Sequence, residues 1–387
     1  MPIQIVKTKT EFFALRKQWN DLLSQSAADT VFLTWEWLSS WWESYAEPAD
    51  DLHIILVHNT AGTLTGIAPL FRRRRRWLSL FQVKTFHFIG DGSWDSDYLD
   101  MILARGQEEE TLDLLWNYLR ADNRAWDVMD LPPVPEDSST LRWLTQLSTR
   151  DQIMLRNEYI PCTVAQLPGS WDEYMTSLSP RFRTKIRSTV RKLDESHDVR
   201  FYSIESENDL AAGLDTLFDL HSKRWELKKR EGVFHNSAKR QFYYSFAPQF
   251  LRRGWLSFDF LEIDARVAAC QLCFRYNGTQ FLLQEGFDPE FGSESVGIAL
   301  RAKVFRKAIE DGIKRYDFLA GVGRHKTQWG GQVKGCEKIS LAHRTLQNMV
   351  FIKTPVLIAA IKERAKAILP AKVLEMWQKR LSSLSSS

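Results

Sequence analysis

The chain has 387 residues, enough for two or three domains, and its 44% hydrophobic and 26% charged residues are those of a globular protein, not a disordered or fibrous one. A net charge of +4 excludes a DNA binder that works through overall charge. No apolar run approaches the ~20 residues that span a bilayer, and Met1–Thr10 lacks the charged-then-apolar order of a signal peptide, so the expected location is the cytoplasm.

In chain order, Lys9–Ser24 and Thr34–Tyr45 are predicted helices, the second capped by Thr34 and displaying Trp35, Trp37, Trp41 and Trp42. These tryptophans read as the anchor of an N-terminal domain or, alternatively, as an aromatic binding wall. His53–His58 and Leu64–Phe71 flank Ala61-Gly62 as a hairpin. It ends in the run Arg72–Arg76, either a solvated strand end or an attractor of anions. Strands are expected at Thr85–Ile89, Asp97–Leu103 and Asp127–Leu131, with a helix over Gln107–Arg120 before the last of them. Asp91 and Asp95 between the first two strands, with Asp97 and Asp100 in the second, have a spacing that does not fit a calcium loop, so no metal is expected. Pro132, Pro133 and Pro135 should stop this half, Thr140–Ser148 reads as a further helix, and 161–170 reads as a crossover. The expected units are therefore residues 1–160, 161–345 and a tail, 346–387.

Ser179-Pro180 starts a helix carrying the basic run Arg181–Lys192. Arg183 and Arg187 share one face at i, i+4, so this helix is either solvated or able to grip phosphate or carboxylate oxygens. Asp209–Lys228 is predicted helical and puts His221, Arg224 and Trp225 close together on its surface; Asn236–Arg252 carries the apolar stripe Phe242, Tyr243, Phe246, Phe250. Leu256–Ile263, Arg266–Tyr276 and Thr279–Phe287 read as three antiparallel strands, followed by a polar loop, a helix from Val296 closed by Gly312, and a short strand Arg315–Leu319. The first half repeats this order, which implies two similar halves. Straight alternation puts Glu285 on one strand face with Phe281, Leu283 and Phe287. Apolar neighbours should raise its pKa towards neutrality and make it a general base; the alternative is a buried carboxylate paired with an arginine such as Arg301. Cys270 and Cys273 are three apart on a strand, hence on opposite faces, and read as buried structural thiols.

The basic run Arg181–Lys192, the His221-x-x-Arg224-Trp225 patch, the stretch from Tyr316 to Gly321 and Lys326-x-x-Trp329 give residues from about Trp171 to Leu341 a resemblance to the acyltransferase domain of CelD/BcsL-like proteins. These are a branch of the N-acetyltransferase superfamily known as GNAT, and FemAB-type aminoacyl transferases are their relatives. The resemblance implies an α+β fold of two fused GNAT-like halves, each a mixed, largely antiparallel sheet flanked by helices, plus a C-terminal helical tail. It implies that Asp97 and Tyr98, with Asp100, face the cleft between the halves, that His221 and Glu285 serve catalysis, and that Arg183, Arg187, Arg224, Trp225, Lys326 and Trp329 meet substrate. It further implies that Gly292, Ser293, Ser295, Val296 and Gly297 hold the pyrophosphate of acetyl-CoA or another acyl-CoA at a helix start. This loop departs from the usual acetyl-CoA signature, and Glu294 adds charge of the wrong sign.

The sequence contains no Gly-x-Ser-x-Gly elbow, which agrees with direct acyl transfer. The expected function is transfer of an acyl group to an amine or hydroxyl of an anionic or sugar-linked cell-envelope or exopolysaccharide precursor. A FemAB-like transferase using aminoacyl-tRNA and a non-catalytic envelope-assembly protein are the alternatives. From Arg344 to Arg380 eight Lys/Arg face only Glu363 and Glu375, beside Ile368, Leu369, Val373, Leu374 and Trp377. This reads either as a basic amphipathic helix that meets the inner membrane surface or as a terminal helix packed on the second half.

Overall fold

The computed structural model describes residues 2–77, 81–226 and 232–354. Strand β1 (Ile3–Val6) leads into α1 (Lys9–Ala14) and α2 (Arg16–Ser24). The single helix expected there is interrupted at Leu15, while Thr8 and Glu11 close a reciprocal capping box at its start. Helix α3 (Trp35–Tyr45) is capped by Thr34, whose hydroxyl accepts from the Trp37 N–H at 3.3 Å. There follow β2 (Asp51–Leu52), β3 (Ile54–His58), β4 (Leu64–Ala68), β5 (Leu70–Trp77), β6 (Phe81–Phe88), β7 (Ile102–Leu103), α4 (Glu108–Ala121), β8 (Val128–Pro135), α5 (Ser139–Arg150) and β9 (Met154–Gln166). The second half comprises α6 (Trp171–Ser177), α7 (Pro180–Ser196), β10 (Val199–Ser203), α8 (Glu207–Glu226), α9 (Ser237–Arg252), β11 (Leu256–Ile263), β12 (Arg266–Tyr276), β13 (Thr279–Phe287), α10 (Val296–Glu310), β14 (Arg315–Ala320), α11 (Arg324–Thr327) and β15 (Gln332–Ala342).

A small sheet has the order β1-β3-β4-β7, and a large one runs through both halves as β10-β11-β12-β13-β14-β9-β15-β8-β6-β5-β2. Helices flank both, giving the expected fold of two fused GNAT-like halves. Residue 160 falls inside β9, so the chain passes from one half to the other within a strand. The last strand, β15, pairs with β9 on one side and with β8 on the other. Pro132 and Pro133 do not stop β8; they sit where its register against β15 slips between Leu131 and Val134, where the lost N–H groups leave no regular ladder bond unmade. The strand expected over Asp97–Leu103 shrinks to β7, because Trp94 and Tyr98 take left-handed φ values of 61° and 55° and neighbouring side chains are captured elsewhere.

Trp35, Trp41 and Trp42 of α3 pack on Phe12, Phe13 and Phe71 and anchor the first half, whereas Trp37 ties the two halves together. Trp37 packs on Phe242 and Phe246 of α9 and on Phe274 of β12, with ring centroids 4.7, 5.0 and 5.2 Å away. Beside them the buried Asp95 carboxylate accepts from Lys239 Nζ at 2.7 Å, Tyr243 Oη at 2.9 Å and Tyr45 Oη at 3.1 Å. In the arginine run on β5, Arg72 and Arg74 bind Asp51, and Arg73 binds Asp50. Cys270 and Cys273 are buried in different core clusters on the two faces of β12, as the spacing predicts. Residues 346–354 are helical, with Ile352 buried; the rest of the expected tail lies outside the described residues.

Candidate active site between the halves

Strands β13 and β14 run parallel and pair only over Thr279–Phe281 with Arg315–Asp317. Immediately afterwards β13 bulges at Leu283, since Cys273 opposes Leu282 while Leu272 opposes Gln284. On β14, Leu319 takes φ 60°, and the register against β9 shifts between Asp317 and Ala320. The parted strand ends open a cleft of about 780 Å³ lined from both halves.

The bulge corrects the expected placement of Glu285. Phe281 and Leu283 join the core on one side of the sheet, whereas Leu282 and Phe287 pack against the other, and Glu285 points to this second side, towards α10. There Arg301 Nη2 donates to Glu285, Gln271 Nε2 donates to it at 3.2 Å, and Arg224 Nη1 lies 3.9 Å away. Burial alone would raise the pKa of this carboxylate, but Arg301 and then Arg224 bring it below the usual range. The near-neutral pKa expected for a general base is therefore not found, and the pairing with Arg301 is.

His221 lines the cleft on α8, with its Nε2 accepting from Trp225 Nε1 at 3.0 Å. Burial, assisted by Arg224, pushes its pKa down to about 4, so the ring is neutral at physiological pH. Arg224 also lines the cleft and stacks over Phe287 at 4.9 Å. Lys326 Nζ donates to the carbonyls of Phe318 at 2.8 Å and Ala320 at 2.6 Å, capping the end of β14 beneath the cleft. Asp97 reaches the cleft from the first half, with Oδ2 accepting from the Ala320 N–H at 3.0 Å. Burial raises the Asp97 pKa, only partly offset by that hydrogen bond and by Lys326.

The structure places the other expected residues elsewhere. Tyr98 is buried, donates to Asp317 Oδ2 at 2.9 Å and borders a second cavity of about 430 Å³. Asp100 is buried on Ser138. Trp329 is fully buried between Phe182 and Phe305, so it supports the sheet and does not face the cleft. Arg187 borders a groove formed with α6 and α10, and neither it nor Arg183 is among the residues lining the cleft. Gly292, Ser293, Ser295, Val296 and Gly297 form the turn into α10 and also lie outside the cleft lining. A Cβ added at Gly292 or Gly297 would meet nothing within 4 Å, although the Ser295 and Ile298 N–H groups of this turn already bond Gly292 O and Ser295 O. Glu294 also stands in that turn, 3.6 Å from His197. Among the described residues no group of three or more His, Cys, Asp or Glu is arranged to hold a metal ion.

Sequence reasoning missed His325, whose carbonyl accepts from Arg301 Nη1 at 2.9 Å, and the acidic wall of Asp130 and Glu158. Arg301 is one of four cations of α10, with Lys303, Arg306 and Lys307, and is the buried one.

Residues 180–327 match the family model described as an acetyltransferase (GNAT) domain. No curated protein matches the sequence. Among solved structures, the chain is similar to FemX at 12% identity and a TM-score of 0.58, covering 88% of this chain and 97% of that one. It is similar to a conserved protein of unknown function from Bacteroides thetaiotaomicron at 11% identity and TM-score 0.57, covering 88% and 100%. The C-terminal domain of a protein assigned as a lysylphosphatidylglycerol synthetase from Agrobacterium fabrum aligns at 10% identity and TM-score 0.52, covering 90% and 98%. At these identities the solved structures establish likeness of fold; the acetyltransferase reading comes from the family match.

Proposed function

We propose that the protein is an acyltransferase of the CelD/BcsL type that moves an acyl group directly to an amine or hydroxyl of a sugar-linked cell-envelope or exopolysaccharide precursor. The observation that carries this reading is the cleft between the halves, where two carboxylates stand in opposite environments. Glu285 is held ionised by Arg301 and Arg224, while burial raises the pKa of Asp97. In this reading Asp97 is the general base for the acceptor. Arg224, at the cleft surface, donates to the oxygen on which negative charge develops. Glu285 and Arg301 are positioning residues: they fix one another and the entrance of α10. Direct transfer needs no covalent nucleophile, and the described cysteines are all buried.

An acyl-CoA donor would supply an activated thioester carbonyl. The backbone at Gly292–Gly297 suits its pyrophosphate, and Glu294 opposes it. That opposition favours a second reading, in which the donor is an aminoacyl-tRNA as in the FemAB-type relatives that the sequence resembles. The test is incubation of the purified protein with labelled acetyl-CoA or labelled aminoacyl-tRNA and amino-sugar acceptors, with mass spectrometry for co-purified coenzyme A. Label transfer from acetyl-CoA supports the first reading and transfer from tRNA the second. Transfer from neither overturns both, leaving a binding protein of envelope assembly. Location in the cytoplasm, with peripheral contact at the inner membrane through the basic tail, is part of this proposal. No described helix is long and apolar enough to cross a membrane.

A further inference from the structure

Trp94 is 95% exposed at the rim of the cleft, and it stands in the left-handed region with φ 61°, where a bulky side chain is rarely found. Its neighbours do not share this exposure. Ser93 O accepts from Lys239 Nζ at 3.2 Å, and Asp95 is fixed by the lysine and two tyrosines described above. Ser96 Oγ accepts from Trp37 Nε1 at 2.9 Å, and Asp97 is bound to the Ala320 N–H. Residues on both sides of Trp94 are thus tied to buried groups of α3, α9 and β14, so the strained backbone is imposed by its surroundings. An indole that would ordinarily be buried is presented to solvent by a fixed loop.

The chemistry of the adjoining lining indicates what it faces. Besides Trp94 the cleft lining carries Asp91, Asp97, Asp130 and Glu158, of which Asp91 is bound to His87, Asp130 lies 3.4 Å from Lys338, Glu158 lies 3.3 Å from Arg156, and Asp97 is hydrogen-bonded to the Ala320 N–H. A ring with many hydroxyls fits this rim: its C–H face can lie on the indole, and its O–H and N–H groups can donate to the carboxylate oxygens of the lining.

Resting on the acyltransferase reading, we propose that Trp94 is the stacking platform for a pyranose ring, hexose or hexosamine, of the acceptor, with carboxylate oxygens of the cleft lining accepting from the ring's O–H and N–H groups.

The experiment compares the full-length protein with Trp94→Ala and Trp94→Phe, a surface change that leaves the ties of the loop in place. Binding of chitotriose, glucosamine and maltotriose, with uridine monophosphate as the nucleotide probe, is measured by calorimetry and saturation-transfer NMR, alongside melting temperature. At least one saccharide should bind the native protein, with ring protons saturated; Trp94→Ala should weaken it at least tenfold, Trp94→Phe less, and both should melt normally. Saccharide binding that survives Trp94→Ala overturns the inference. So does binding of the nucleotide alone, or of no probe at millimolar concentration. No donor is present, so failure here with acyl transfer intact removes only the platform. Trp94-dependent binding without acyl transfer removes only the enzyme.

Discussion

At the scale of single residues, the cleft separates a carboxylate that stabilises the fold from one available for chemistry. Changing Glu285→Gln leaves the buried Arg301 without its counter-charge, and the loss expected in denaturant unfolding is about 3 kcal/mol. Asp97→Asn should leave stability nearly unchanged and lower turnover ~10²–10⁴-fold, removing the acidic limb of the pH–rate profile. Equal losses from both variants in unfolding and in rate would mean that the roles are not divided. Asp317 gives a third test, because burial raises its pKa to about 7. Its proton is held more tightly in the folded chain than in the unfolded one, so this contribution to stability is complete below about pH 4 and is lost as pH rises through about 7. Asp317→Asn should therefore gain on the native protein between pH 4 and 7 by up to about 4 kcal/mol, read as a pH-dependent difference in melting temperature. That Glu285 was unusual could be read from its apolar neighbours. Which side of the sheet it faced could not, because one extra residue at Leu283 reverses the alternation, and nothing local in Leu-Leu-Gln marks a bulge.

Elements show the same division. The three strands from Leu256 to Phe287 and helix α10 follow the expected bounds closely, since alternation, the Asn277-Gly278 turn and the fourfold apolar repeat all agree. Strand β9 was legible only as a crossover. Its Asn157, Glu158 and Tyr159 are exposed and Pro161 lies within it, so no periodic signal survives, and the strand exists because β15 and β14 pair with it. Gly286 exposes another dependence between elements. A Cβ there would stand 2.8 Å from Leu220 Cβ and 3.2 Å from the His221 nitrogen, so α8 lies directly on β13. Gly286→Ala should push α8 outward, destabilise the protein by ~1–3 kcal/mol and raise KM, since His221 and Arg224 ride on that helix. An unchanged KM in a folded variant would show that the position of α8 does not set the cleft.

Over the whole molecule, the large sheet and the aromatic contact of α3 with α9 make the halves one cooperative body. Lys239→Met leaves the Asp95 carboxylate buried and unpaired at their junction, at an expected loss of about 3–5 kcal/mol. Calorimetry of the native protein should show one transition whose calorimetric and van't Hoff enthalpies agree; two separable transitions would mean that the halves fold independently. The position of β15 bears on synthesis as well as on stability. Its slot lies between β8 and β9, two strands that leave the ribosome about two hundred residues earlier, so both wait with unpaired edges while the whole second half is translated. Closing that gap is a long-range event, slow by topology, and the nascent chain exposes sticky strand edges until it happens. A stalled or truncated product lacking residues 332–342 would thus be a natural client for chaperones and a nucleus for aggregation, whatever the integrity of its first half.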